Sequence, residues 1–190
     1  SIDMRPEEAV EYALTCEETP VTVSDSGDNT TGGAAGYNTC FLRMFMERGD
    51  TNGRKVLVST IFDPIACGML MRYNEGDEVD VMVGIDIDED TRPIRLKGIL
   101  KSKGKAIKNL AFDLNSEDYG NSVLVSLGDI DVSITDIRDA LCYERQFDLA
   151  GIKITDYSVL VVKEAYQFNY IADYGKTHIL AYTPGGTYQD

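Results

Sequence analysis

Residues 20–36 of the chain, PVTVSDSGDNTTGGAAG, decide the class of fold. The first six of them are mostly small or β-branched and end at Asp25, which is typical of a short β-strand. The glycine-rich part that follows predicts a tight loop, and the apolar spacing of residues 38–48 predicts a helix beyond it. A strand, a loop and a helix in this order indicate an α/β sheet whose strands are joined through helices.

The same alternation recurs toward both ends of the chain. An opening helix begins at Pro6 with an acidic first turn, and Asp63-Pro64 starts another helix. The other predicted elements are strands at residues 55–60, 157–163 and 177–182 and helices at residues 143–149 and 166–174. Because a helix begins so close to Ser1, we expect the chain to be a piece of a longer protein.

The middle of the chain has the period-two pattern of antiparallel strands. Apolar residues alternate with polar ones over residues 79–87 and again over residues 94–103. If the two strands form a hairpin, opposite charges meet on its solvent side, with Asp86 and Asp88 facing Lys97 and Arg95. This pairing would set the register of the hairpin and is not a functional site.

A second hairpin is predicted over residues 123–134, with Gly128-Asp129 as its two-residue turn. Asp131 alternates there with apolar neighbours, so we expect its carboxylate to point to solvent. The whole prediction is one α/β domain over residues 1–190: a mixed sheet with flanking helices and an antiparallel, hairpin-rich middle.

The net charge of the chain argues against two classes of binding partner, nucleic acids and membranes. The chain has 18 Lys and Arg against 32 Asp and Glu, a formal net charge of −14. Such a surface repels phosphate backbones and anionic bilayers, so we expect neither nucleic-acid binding nor membrane binding. No apolar run approaches the roughly 18 residues that a membrane-spanning helix needs.

Cysteine and histidine usage limits the metal chemistry. The four cysteines are far apart in the sequence and form no C-x-x-C motif, so we expect free thiols in a reducing compartment and a cytoplasmic location. His178 is the single histidine, whereas catalytic zinc sites commonly use several. We therefore expect no metal ligands and no cofactor in this chain, and we interpret His178 as a structural residue.

The loop after Asp25 contains the best candidate site residues. A glycine-rich loop between a strand and a helix can offer backbone N–H groups to an anion, and its carboxylates can orient a substrate or the ligands of a metal. The loop matches neither the G-x-G-x-x-G nor the Gly-Lys-Ser/Thr nucleotide pattern. A tight crossover closed by an Asx turn explains the same residues without any ligand. The loop candidates are Asp25, Asp28, Asn29, Thr31, Gly32 and Gly33.

Two residues outside the loop complete the candidate set for substrate or anion binding. Lys163 ends an apolar strand, where open α/β sheets border ligand crevices. The alternative is a surface lysine that extends past the sheet edge to solvent. Asp63 precedes Pro64, and capping of the helix accounts for it alone. We expect Asp28 to be an exposed loop carboxylate whose removal leaves folding nearly intact.

Residues 25–33, DSGDNTTGG, closely resemble the DSGDNPTAGG signature that opens the C-terminal domain of the microcystinase C-like metallopeptidases. The resemblance continues in order through nearly all of the chain. Its further segments are IFDP at residues 61–64, GDIDV at residues 128–132, VVK at residues 161–163 and AYTPG at residues 181–185. Two departures are Thr30, where proline is usual, and residues 164–168, which lack a histidine that many relatives carry.

The resemblance implies a C-terminal domain of a two-domain, zinc-dependent hydrolase. In that family the Asp, Glu and His zinc ligands lie in the N-terminal domain, and microcystinase C cleaves linearised microcystin peptides. The implied partners are this N-terminal metal-binding domain and a peptide-like or small-molecule substrate. Zinc is then expected in the full-length protein, and this chain alone is expected to be inactive.

The alternative is a non-catalytic module whose glycine-rich loop captures a small anion. The residues that precede Ser1 would distinguish the two hypotheses. Zinc-ligand motifs upstream support the hydrolase, and an unrelated domain supports the binding module.

Overall fold

The computed structural model describes residues 1–30, 34–108, 110, 113–138, 140–164 and 169–183. Strands and helices alternate through most of this part of the chain. The strands are β1 Ile2–Met4, β2 Val21–Asp25, β3 Val56–Phe62, β4 Glu78–Val83, β5 Ile94–Ile107, β6 Tyr119–Ser126, β7 Ile130–Thr135, β8 Val159–Val162 and β9 Thr177–Ala181. The helices are α1 Pro6–Thr15, α2 Cys40–Arg48, α3 Pro64–Leu70, α4 Glu144–Ala150 and α5 Asn169–Tyr174, with a 3₁₀ turn at Ile154–Asp156.

The strands form a single mixed sheet, which confirms the predicted fold class. Their spatial order is β1-β9-β2-β8-β3-β7-β6-β5-β4. Pairing is parallel from β1 to β7 and antiparallel from β7 to β4. The short connections of the middle can join only antiparallel neighbours, whereas each parallel pair needs a longer crossover.

Helices cover both faces of the parallel part of the sheet. One hydrophobic core includes Val10 of α1, Phe41 of α2 and Ala66 of α3, and the other includes Phe147 of α4 and Ile171 of α5. Strands β2 and β8 are buried along their whole lengths because they lie between these two layers. No helix in the described part of the chain is long and apolar enough to cross a membrane.

Local sequence signals set the ends of several elements as predicted. The Asp63 carboxylate accepts a hydrogen bond from Ala66 N at 2.9 Å and caps α3. Gly49 and Gly151 follow α2 and α4 with positive φ of 76° and 73°, which glycine adopts without strain. Of the helix predicted at residues 166–174, α5 accounts for the part from Asn169, and residues 165–168 lie outside the described residues.

The first hairpin forms, but its predicted charge pairing is wrong. Strand β4 ends at Val83, so Asp86 and Asp88 lie in the connection to β5. Asp80 instead forms the cross-strand ion pair, with its Oδ2 at 2.6 Å from Nη2 of Arg95.

The early end of β4 has a local cause. Gly84 has a φ of +123°, and its N–H donates to Oδ2 of Asp63 at 2.9 Å. The Thr91 hydroxyl then accepts from the N–H groups of Ile87 and Asp88, so the connection closes on itself and does not continue the ladder. Alternation alone could not reveal this end, because the hydrophobic pattern continues through Ile87.

Asp131 is a second correction. Its side chain is fully buried, and its Oδ2 accepts from Lys101 Nζ at 2.8 Å and from the Tyr157 hydroxyl at 2.6 Å. The predicted solvent-facing position would require β7 to have one face open to water. Strand β7 instead lies between β6 and β3, and the face that carries Asp131 is covered by the segment around Tyr157.

The four cysteines are free thiols, as predicted from their spacing. Cys67 and Cys142 are buried, and Cys16 and Cys40 are partly buried. Burial raises the pKa of both the Cys40 and Cys67 thiols to about 12, so these thiols stay protonated at neutral pH.

Candidate functional site

The carboxyl ends of β2 and β8 lie side by side near the centre of the sheet. From β2 the chain continues toward β3, and from β8 it continues toward β9 on the opposite side. Loops that leave adjacent parallel strands in opposite directions form a crevice, the usual ligand position in open α/β sheets. The candidate site therefore lies at this edge.

Asp28 lies at the centre of the loop that follows β2. Its side chain is only 6% exposed, which overturns the expectation of an exposed side chain. Oδ1 accepts from Gly36 N at 2.9 Å, and Oδ2 accepts from Asn38 N at 2.8 Å. The loop thus folds around its own carboxylate, because these backbone donors are otherwise shielded from water.

Lys163 approaches the same carboxylate from the end of β8. Its Nζ lies 2.5 Å from Oδ2 of Asp28 and also donates to the carbonyls of Gly36 at 3.1 Å and Asn38 at 2.8 Å. The three ammonium hydrogens match these three acceptors. With 3% exposure, the side chain does not extend to solvent, and it ties the loop after β2 to the neighbouring strand.

Asp25 is a second buried carboxylate at this edge. It ends β2, and its Oδ1 accepts a short hydrogen bond from the Thr183 hydroxyl. Burial raises the pKa of Asp25 to about 6, although the nearby charge of Lys163 opposes the shift. Asn29 is also buried, and its backbone carbonyl accepts from Ala34 N at 2.9 Å.

Close backbone approach explains one glycine of this loop. A Cβ atom on Gly27 would lie 1.6 Å from the carbonyl oxygen of Thr183, so no side chain fits there. Gly36 has a φ of +80°, in the left-handed region that favours glycine.

The structure divides the predicted site residues into three groups. Asp25, Asp28 and Asn29 lie at the end of β2 and in the loop that follows it, and Lys163 reaches this group from the end of β8. Asp63 stands apart, because its two oxygens accept from Ala66 N and Gly84 N. Thr31, Gly32 and Gly33 lie outside the described residues.

Sequence reasoning missed three buried residues at this edge. Asn38 Oδ1 accepts from Cys40 N at 2.6 Å at the start of α2. An asparagine just before a predicted helix could have indicated this role, because asparagine often caps helix N-termini. The Cys142 thiol donates to Oε2 of Glu164 at 3.1 Å, and both side chains are fully buried. Glu164 directly follows Lys163, but nothing in the sequence indicated that Cys142 would reach it.

The donor set at this edge does not fit a zinc site. Among the residues that the structure describes, no three His, Cys, Asp or Glu side chains group as metal ligands do. Nδ1 of His178 lies 2.7 Å from the Thr22 hydroxyl, within the β9–β2 pair. Asp25 and Asp28 use their oxygens in hydrogen bonds inside the loop and to Thr183.

Comparison with known proteins gives consistent matches over most of the chain. The family model described as MlrC C-terminus matches residues 23–190. Microcystinase C of a Sphingomonas species is 26% identical over 162 residues, covering 84% of this chain and 31% of that protein. A crystal structure of a predicted metallopeptidase from Mesorhizobium sp. BNC1 superposes with a TM-score of 0.78 at 20% identity.

The match to the crystal structure covers 96% of this chain and 37% of the Mesorhizobium protein. At that sequence identity it shows a shared fold. The chain therefore spans about a third of the length of both relatives.

Proposed function

Because the chain belongs to the MlrC C-terminus family, we propose that it is the C-terminal domain of a zinc-dependent hydrolase. In this proposal residues 1–190 form one domain that shapes the active-site cleft and positions a peptide-like substrate, while a preceding N-terminal domain binds the metal. The names of the Sphingomonas and Mesorhizobium relatives, a microcystinase and a predicted metallopeptidase, support a hydrolase.

The buried Asp28–Lys163 ion pair is the observation that carries the proposal. The pair lies where the loops after β2 and β8 leave the sheet in opposite directions. Asp28 accepts from the N–H groups of Gly36 and Asn38, and Lys163 donates to the carbonyls of the same two residues. A cluster of this kind fixes the shape of a loop, and a loop of fixed shape is what a substrate-positioning wall requires. A plain crossover between a strand and a helix needs no buried ion pair.

The charges inside the glycine-rich loop disfavour the hypothesis that this loop captures a small anion. Asp25 and Asp28 are two buried carboxyl groups near the single ammonium group of Lys163, whose three hydrogens already have acceptors. An anion placed inside the loop, beside these two carboxyl groups, would meet negative charge with no further cation there to balance its own.

Zinc belongs to the preceding domain in this proposal. The described residues of this chain offer one histidine bonded to Thr22 and cysteines that are far apart, which does not match a zinc ligand set. The role left to this chain is to bind, orient and enclose the substrate beside the metal.

The test uses the full-length protein, with its zinc content measured by atomic emission and its hydrolysis of a defined mixture of linear peptides followed by mass spectrometry. We expect bound zinc, peptide cleavage, and an Asp28→Asn variant that keeps its zinc but loses about 10- to 100-fold in kcat/KM. Asp80→Asn is the matched control, since it makes the same change in an ion pair on the exposed hairpin.

Three results would contradict the proposal. The first is a full-length protein that holds zinc and cleaves no peptide in the mixture. The second is an upstream sequence without a metal-binding domain. The third is an Asp28→Asn variant with the kcat/KM of the wild type.

A further inference from the structure

Three side chains from separate segments stack at the same edge of the sheet as the candidate site. Tyr37 follows the loop after β2, Phe62 ends β3, and Arg138 follows β7. The Tyr37 and Phe62 rings are stacked with centroids 5.5 Å apart and planes 24° apart. The Arg138 guanidinium lies 5.5 Å from the Tyr37 centroid and 5.3 Å from the Phe62 centroid.

The buried ion pair sets the position of this stack. Gly36 and Asn38, the two residues that Asp28 and Lys163 hold, flank Tyr37 on either side. The N–H of Phe62 donates to the Gly36 carbonyl at 2.9 Å, which brings the end of β3 against the same backbone. The Asp28–Lys163 pair thus fixes the backbone on both sides of Tyr37, whose side chain is half-buried.

Arg138 presents an exposed positive charge on this support. Its Nη2 donates to the Tyr37 hydroxyl at 2.6 Å. Among the described residues, no Asp or Glu oxygen lies within 4.0 Å of its guanidinium, although the chain has 32 acidic residues. A guanidinium has five N–H donors. Stacking uses its faces and the bond to Tyr37 uses one donor of Nη2, which leaves other N–H groups on its edges to bind a planar acceptor.

We propose that Arg138, supported by Tyr37 and Phe62, binds a carboxylate group of the peptide substrate. A carboxylate matches the fork of a guanidinium through two parallel hydrogen bonds, and the two rings limit the rotamer entropy that Arg138 loses on binding. This inference rests on the proposed function for the identity of the ligand as a peptide. The carboxylate belongs to the C-terminus of the peptide or to an acidic side chain.

The experiment measures binding without turnover. Calorimetric titration of metal-free full-length protein compares acetyl-trialanine bearing a free C-terminal carboxylate with the same peptide as its amide. A third peptide is an amide with a glutamate in the middle position. We expect a free carboxylate to tighten binding by about tenfold, as charge-assisted hydrogen bonds do. The first and third peptides, each compared with the second, show whether a main-chain or a side-chain carboxylate is preferred.

Arg138→Gln removes the charge and keeps a polar side chain, so it is expected to abolish the preference for the carboxylate. Arg145→Gln is the matched control, because Arg145 is also exposed and donates to a tyrosine hydroxyl, that of Tyr119, at 3.2 Å. The control is expected to keep the full preference.

Several outcomes would overturn the inference. They are no measurable binding of any peptide to the wild type, equal binding of acids and amides, or an Arg138→Gln variant that keeps the preference. A variant that loses all three peptides equally and has a lower thermal midpoint would mean that Arg138 holds the domains together instead. If the zinc-loaded protein cleaves no peptide while the preference persists, the hydrolase proposal fails and the carboxylate site stands.

Discussion

Oδ2 of Asp28 lies 2.5 Å from Nζ of Lys163, although the two residues are 135 positions apart in the sequence. Both side chains are almost completely shielded from solvent. The pair joins the loop after β2 to the end of β8, and its other hydrogen bonds fix the backbone on both sides of Tyr37. The conformation of the loop at the candidate site therefore depends on this buried ion pair.

Removal of either partner is expected to destabilise the protein. Lys163→Met leaves a buried carboxylate without its cation, and Asp28→Ala leaves a buried ammonium, so each should lower the free energy of unfolding by about 3–5 kcal/mol. The combined Asp28→Ala and Lys163→Met variant should lose clearly less than the sum of the single losses. Urea denaturation of the full-length protein measures all three.

The control for this prediction is Asp80→Asn, whose ion pair with Arg95 is exposed on the hairpin. It should leave the urea midpoint nearly unchanged. Single variants of Asp28 and Lys163 that are as stable as this control would show that the pair does not hold the loop.

Asp25 should make the protein relatively less stable at neutral pH than at acid pH. Its pKa is about 6 in the folded protein and 3.8 in its ordinary state, so the folded form binds the proton more tightly. The benefit of protonated Asp25 is complete below about pH 4 and is lost as the pH rises through 6. Asp25→Asn should therefore stabilise the protein at pH 8, by an amount on the order of 2–3 kcal/mol, and much less at pH 4.

Urea denaturation of wild type and Asp25→Asn at pH 4, 6 and 8 checks this. A difference in unfolding free energy that does not grow with pH would exclude the predicted linkage. Asn keeps an acceptor for the Thr183 hydroxyl, so the comparison isolates the charge.

Two glycine substitutions should have opposite effects. In Gly27→Ala the new methyl group collides with the Thr183 backbone, so the free energy of unfolding should fall by about 3 kcal/mol. Gly68 is an exposed residue in α3, and a Cβ atom added there would have no neighbouring atom within 4 Å, so Gly68→Ala should raise stability by up to about 1 kcal/mol. The thermal midpoint of each variant is compared with that of the wild type. A lower midpoint for Gly27→Ala alone shows that the close approach of the Thr183 backbone, and not the added methyl group as such, destabilises the protein.

Asp131 should behave as a buried structural residue. Asp131→Ala leaves the buried Tyr157 hydroxyl without its acceptor and should cost about 2 kcal/mol in unfolding free energy. Tyr157→Phe should cost less, because Lys101 still satisfies the carboxylate oxygen. Asp86→Ala, an exposed acid in the β4–β5 connection, is the comparison and should have little effect. Equal effects of the Asp131 and Asp86 changes in chemical denaturation would refute the buried role.

The sequence by itself determined the type and order of most elements. Apolar spacing located α1 and α2, alternation located β4, the Gly128-Asp129 turn located the β6–β7 hairpin, and Asp63 marked the start of α3. These features depend on interactions between residues a few positions apart, where periodicity and capping act, so a single sequence contains the information.

Only the tertiary structure decided which of those residues meet. Strand β8 enters the sheet between β2 and β3, and this insertion brings Lys163 to Asp28 and buries a loop that composition alone had marked as polar. The same strand order places β7 in the interior and turns Asp131 away from water. Strand order follows from how the helices and both cores pack across the whole chain, and no local pattern encodes a sum of such long-range contacts.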